Sequence, residues 1–196
     1  MRSGIHINIP NILTWGRIAL IPVFVGIFYL PDAWVGMTQK NLLAAIIFTA
    51  AAITDWLDGY LARILKQVSA FGAFLDPVAD KLMVATSLIM LVQLGRVDMM
   101  VAVIIIGREI TISALREWMA REGQSANVAV ATIGKLKTAA QMTAIPMLLL
   151  YEPFLGVNMD IVGSILIYIA AALTLWSMGY YLHRAMAGFS KNSDPT

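Results

Sequence analysis

The chain has 196 residues, 59% of them hydrophobic and only 13% charged, with a formal net charge of +2 and a mean hydropathy of +0.76. A soluble domain carries about 25% charged residues, so this composition excludes one and describes an integral membrane protein. The chain has no cysteine, which excludes a disulfide framework, a thiolate nucleophile and a cysteine-ligated metal; any chemistry must come from carboxylates and cations.

Residues 1–10 end in Asn8-Ile9-Pro10, and no small-residue cleavage site follows the apolar stretch after them. They are therefore expected to form an interfacial segment ahead of a retained first span. Apolar stretches near the roughly 20 residues that cross a bilayer core are predicted at 11–30, 41–64, 77–95, 98–121, 129–151 and 160–183. Pro31, Gly36, Gly95, Gly123 and the Glu152-Pro153 pair punctuate them. The expected fold is all-α and polytopic: six transmembrane helices in a single domain over residues 1–190, followed by a polar tail at 191–196. Arg2, Lys66, Arg121, Arg184 and Lys191 fall on one side of that arrangement, whereas Lys40 and Arg96 are accompanied by Asp32, Asp98, Glu152 and Asp160 on the other. The bias in lysine and arginine predicts that both termini are cytoplasmic. Trp15, Trp34, Trp118 and Tyr151 read as interfacial anchors near span ends.

Between Asp55 and Asp80 this lipid-soluble pattern is broken by Asp55, Asp58, Asp76 and Asp80. Each aspartate placed in hydrocarbon would cost roughly 2.5 to 3.5 kcal/mol on insertion scales, so four of them imply a function. Asp55 and Asp58, at i and i+3, share one helical face. Asp76 precedes Pro77, which predicts a helix N-cap followed by proline at the first helical position, with Asp80 one turn inside. Two helices are thus expected to bring two carboxylates each to a similar depth. Four carboxylates in a poorly solvated place lose their charge unless cations compensate them, and hard divalent ions such as magnesium or manganese suit oxygen ligands and phosphate chemistry. Two such ions would form a clamp on the attacking and leaving oxygens at phosphorus. Gly59, Ala62 and Gly72 leave room for a ligand against the helix backbone; each taken singly reads as a helix-packing residue.

The window Asp55-x2-Asp58-Gly59-x2-Ala62-Arg63-x8-Gly72-x3-Asp76-x3-Asp80 resembles the signature of the CDP-alcohol phosphotransferase family at every fixed position. The resemblance implies a six-helix membrane enzyme, usually a homodimer, in which an alcohol hydroxyl displaces CMP from a CDP-linked donor. It implies that Asp55, Asp58 and Asp76 are metal ligands, that Asp80 is the general base and also approaches the metals, and that Gly59, Ala62, Arg63 and Gly72 line the CDP-diacylglycerol site. Independently of that resemblance, the planar fork of Arg63 suits phosphate oxygens.

Further stretches resemble the branch of the family that transfers a phosphatidyl group from CDP-diacylglycerol to glycerol 3-phosphate in a bacterial inner membrane, with the active site facing the cytoplasm. They are Asn8-Ile9-Pro10-Asn11-Ile12-Leu13-Thr14-x2-Arg17, then Gly107-Arg108-Glu109-Ile110 with Ser113-Ala114-Leu115-Arg116-Glu117, then Gly134-Lys135-x-Lys137-Thr138-x2-Gln141. Arg17, Arg108 and Lys135 fall inside predicted spans, where an ionisable residue marks a functional site by default, and Arg116 and Lys137 lie nearby. A doubly charged acceptor phosphate would compensate several of them; the alternative is that they snorkel or pair with Glu109 and Glu117. The expected partners are CDP-diacylglycerol, glycerol 3-phosphate, membrane lipid and a second copy of the chain, with no nucleic acid. Rival readings are a sister transferase using serine or inositol phosphate, a divalent-metal transporter and an aspartyl intramembrane protease. Transport carboxylates sit near the midplane, and a protease needs only two acids.

Overall fold

In the computed structural model the described residues are 9–64, 70–121 and 131–192, and they form six helices: α1 (Ile9–Tyr29), α2 (Met37–Ile64), α3 (Ala70–Gln93), α4 (Met99–Arg121), α5 (Ala131–Leu150) and α6 (Met159–Asn192). The all-α expectation is met, with each helix close to a predicted span. The interfacial segment expected at 1–10 lies mostly outside the described residues, as does most of the polar tail; α6 continues through Lys191 and Asn192. Lys40, expected in a loop, belongs to α2.

Local chemistry explains the helix ends. Gly36 is the N-cap of α2: its carbonyl accepts from the Lys40 amide at 3.0 Å and its N–H donates to the Gln39 side chain at 3.2 Å, half of a capping box. At the end of α3, Gly95 takes a φ of 69°. The Arg96 amide there reaches the Leu91 carbonyl at 2.9 Å and the Gly95 amide reaches Val92 at 3.0 Å, a Schellman pair that requires the left-handed residue. Asp98 caps α4 by accepting from the Met100 amide at 2.7 Å.

One predicted boundary is corrected. α3 runs from Ala70, so Pro77 lies inside it and Asp76 is not an N-cap. Proline removes one backbone bond, but helices in lipid tolerate it where neighbours satisfy the freed carbonyl. Pro22 in α1 and Pro146 in α5 are also internal. The consequence is that Gly72, Asp76 and Asp80 form a continuous i, i+4, i+8 row on one helix.

The helices α5 and α6 make the most extensive pairing, followed by α1 with α2 and α2 with α5; α3 packs on α1, and α4 on α6 and α3. Phe24, Phe48, Leu88, Leu91, Ile105, Ile145, Leu148, Leu149 and Ile167 fill the centre. Outside, Trp56, Phe74, Ile89 and Trp176 are exposed, so apolar side chains cover the molecule on both sides of its wall, as befits a protein embedded in lipid. α1, α2 and α6 are each long and apolar enough to cross a membrane, while α4 carries Arg108, Glu109, Arg116, Glu117 and Arg121.

The end of the bundle formed by the α1–α2, α3–α4 and α5–α6 connections is held by a polar clasp. Arg96 donates to the Leu148 and Leu149 carbonyls at 3.1 and 2.8 Å and to Asn41 Oδ1 at 2.8 Å, and its guanidinium stacks 4.4 Å from the Tyr151 ring centroid. Burial holds this guanidinium below the usual arginine value, opposed by the Tyr151 and Glu152 oxygens. Beside it, Lys40 Nζ donates to the Leu30 carbonyl at 2.6 Å and to Asp32 at 2.7 Å. The buried lysine therefore satisfies a carbonyl at the end of α1.

Candidate active site

At the far end of α2 and along α3, the structure gathers the carboxylates around two residues of α1. Thr14 and Arg17, at i and i+3, are 0% and 2% exposed. The Thr14 hydroxyl donates to Asp76 Oδ1, and Arg17 NH1 donates to Asp55 Oδ1 at 2.5 Å. One helix thereby ties together the two that carry the aspartates. Arg17 and Asp80 meet at a small cavity walled by Phe48, Ala51, Met83 and Met142, and Asp80 lies within Coulombic reach of Asp55, Arg17, Glu109 and Lys81. Asp55, Asp76 and Asp80 are all partly buried. Asp58, Gly59, Ala62 and Arg63 share the same stretch of α2, but their side chains lie outside the described residues. Gly72 is buried on α3, two turns before Asp80.

A second polar cluster joins α4 to α5. Arg108 is 7% exposed and Lys137 2%; Arg108 NH1 donates to Glu109 Oε1 at 3.1 Å, and Lys137 Nζ donates to the same oxygen from the opposite helix. Arg108 Nε and Gln141 Oε1 are buried without a hydrogen-bond partner among the described residues. Arg116 and Lys135 lie on α4 and α5, with side chains outside the described residues. Thr14 was given no role of its own by the sequence reading, its only prior signal being the i, i+3 spacing with Arg17. Glu109 entered there only as an alternative ion-pair partner for the cations, and among the described residues Arg108 and Lys137 do pair with it.

The carboxylates present hard oxygen donors, the chemistry that magnesium or manganese requires. Arg17 and Thr14 each engage one oxygen, leaving lone pairs on Asp55 and Asp76 for a cation. Among the described residues no three acidic or histidine side chains converge into a metal-binding group; Asp58 stands outside that set.

Beside the site runs an apolar groove between α2 and α5, of about 460 Å³, with Leu42, Ile46, Ile53 and Leu150 among its walls. It continues past Thr49, Ile53 and Pro146 to Trp56, next to Asp55.

The family model for CDP-alcohol phosphatidyltransferase matches residues 7–176. Among similar proteins, the CDP-diacylglycerol–glycerol-3-phosphate 3-phosphatidyltransferase of Pectobacterium atrosepticum is 52% identical over 180 residues, covering 91% of this chain and 94% of its own. The enzyme of the same name from Yersinia enterocolitica is 50% identical over 182 residues, covering 92% and 96%. That from Salmonella typhimurium is 50% identical over 180 residues, covering 91% and 94%. A match over most of the chain, carried by a bundle that brings Asp55, Asp76 and Asp80 to one end, leaves one conclusion: the chain belongs to the CDP-alcohol phosphatidyltransferase family.

Proposed function

We propose that the chain transfers the phosphatidyl group of CDP-diacylglycerol to glycerol 3-phosphate, releasing CMP and giving phosphatidylglycerophosphate. The observation that carries this reading is the identity of half the residues, over nine tenths of the chain, with relatives of that name. The polar clusters support it: a carboxylate site on α2 and α3 stands beside a cationic site on α4 and α5.

In this mechanism the acceptor hydroxyl oxygen bonds to the phosphorus carrying the diacylglycerol, the bond from that phosphorus to the CMP oxygen breaks, and the hydroxyl proton passes to Asp80. The position of Asp80 on α3, beside Arg17 at a small cavity, supports this role. Asp55, Asp58, Asp76 and Asp80 would hold two divalent cations, magnesium or manganese. Such ions would neutralise diphosphate charge and stabilise the leaving CMP. Arg17 and Thr14 orient Asp55 and Asp76, so those carboxylates are fixed before substrate arrives. Arg63, Gly59, Ala62 and Gly72 receive the cytidine diphosphate, the glycines and alanine by leaving space at the backbone. Arg108, Lys135, Lys137 and Arg116 offer positive charge to the acceptor phosphate, with Arg17 at the junction of the two clusters. The donor's acyl chains lie along the α2–α5 groove, whose walls are almost wholly apolar.

The reading places residues 1–190 in one domain with six membrane spans, both termini and the site on the cytoplasmic side of a bacterial inner membrane, and the chain in a homodimer. Lysine and arginine bias supports the orientation, and the family resemblance supports the dimer.

The test supplies purified protein with labelled CDP-diacylglycerol and a panel of acceptors, with and without a chelator. CMP release with glycerol 3-phosphate, abolished by chelation and restored by magnesium or manganese, is the expected result. Turnover with serine or inositol phosphate but not glycerol 3-phosphate overturns the acceptor, and metal flux in proteoliposomes without CMP release overturns the enzyme.

A further inference from the structure

The carboxylate of Glu109 is committed to two cations from two helices. Arg108 precedes it on α4, and Lys137 reaches it from α5, both ending on the single atom Oε1. Among the described residues α4 and α5 are not a closely packed pair; α4 leans on α6 and α3, while α5 leans on α6 and α2. The Lys137–Glu109 bond therefore links two helices that share few backbone contacts among the described residues. Side-chain exposure grades the cluster: 2% for Lys137, 8% for Arg108 and 26% for Glu109.

Two buried cations beside one another repel, and a lysine on a four-carbon stem takes whichever carboxylate is in reach. Glu109 supplies Lys137 with a fixed partner on a different helix. It leaves the cluster with a net positive charge and, among the described residues, a buried Arg108 Nε and a buried Gln141 Oε1, one turn from Lys137, that have no hydrogen-bond partner. Those features suit an anion that also carries hydroxyl groups.

We infer that Glu109 is a positioning residue: by holding Lys137 of α5 and Arg108 of α4 on one carboxylate oxygen, it aims both at the phosphate of the acceptor. This rests on the reading of glycerol 3-phosphate as that acceptor. Glu109 itself does not touch the reacting atoms; it acts through Lys137 and Arg108.

The test is steady-state kinetics of the full-length protein in detergent–lipid micelles, varying each substrate in turn, for Glu109→Gln, Lys137→Met and the double variant. Glu109→Gln should raise the KM for glycerol 3-phosphate by about ten- to a hundredfold, the scale on which misplacement of a binding group acts. The KM for CDP-diacylglycerol should not move, and in the Lys137→Met background Glu109→Gln should raise the acceptor KM by a smaller factor than it does alone, because one of the two residues it positions is gone. An unchanged acceptor KM, an equal rise in both KM values, or full additivity with Lys137→Met overturns the inference. Should Glu109→Gln fail to fold, Glu109→Asp, which keeps the charge on a stem one carbon shorter, must show the same selective rise, and an unchanged acceptor KM there is equally fatal. A wild-type protein that ignores glycerol 3-phosphate overturns the functional reading instead, whereas a wild type that uses it beside an indifferent Glu109→Gln overturns this inference alone.

Discussion

Substitution of Gly163 by alanine isolates the contact that sets the spacing of α5 and α6. A Cβ at Gly163 would lie 2.8 Å from Leu148 Cγ, 3.2 Å from Leu148 Cδ2 and 3.2 Å from the Leu148 backbone nitrogen. Carbon pairs are most favourable near 3.5 to 4.0 Å, so the helices must part by roughly half an ångström. The Leu148 side chain is fully buried and cannot swing clear, and a backbone atom cannot swing at all. Close approach at small residues is the means by which helices associate in lipid, so the expected cost is that of overpacking, about 1 to 3 kcal/mol. Thermal unfolding in detergent measures it. Leu148→Ala alone should cost about 2 to 5 kcal/mol as a cavity. Combined with Gly163→Ala it should cost less than the sum, because the two nearest clashing atoms are removed while the backbone nitrogen remains. The specific activity of the folded fraction should be retained, since Lys137 lies three turns away along α5. A Gly163→Ala protein as stable as the parent, or strictly additive effects, refutes the argument.

Asp80→Asn should abolish CMP release while labelled CDP-diacylglycerol still binds; persistent turnover removes Asp80 as the base. Thr14→Val, nearly equal in shape, withdraws the hydrogen bond to Asp76, worth about 1.5 to 3 kcal/mol to a charged acceptor. It should lower kcat without loss of folded protein in a thermal-shift assay, and an unchanged kcat refutes the orienting role. Arg96→Ala removes bonds to Asn41 and to the two carbonyls at the end of α5 together with the Tyr151 stack, and should lower stability by about 2 to 4 kcal/mol. Arg96→Lys should recover only part of this, because a point charge cannot serve three acceptors and a ring face; full recovery in the same assay contradicts that geometry.

The sequence by itself determined the helical class, the approximate place of each described helix and the presence of four aspartates among apolar residues. Apolar runs of bilayer length are read directly from hydropathy, and intramembrane charge is too costly to be incidental. Spacing also placed Asp55 with Asp58 and Asp76 with Asp80, since helical periodicity is local. It misjudged the start of α3, because the Asp76-Pro77 pair carries a real local bias against helix that the surrounding bundle overrides. Only the tertiary structure decided which charges meet. Arg17 could equally have faced an acceptor phosphate, yet packing of α1 on α2 and α3 directs it to Asp55 and Thr14 to Asp76. Arg108 and Lys137 could have faced a phosphate or a carboxylate, and the structure joins both to Glu109, 28 residues from Lys137 in the chain. Such pairings depend on how far each helix is rotated and advanced against its neighbour, and that is settled by contacts such as Gly163 on Leu148, which no local pattern encodes.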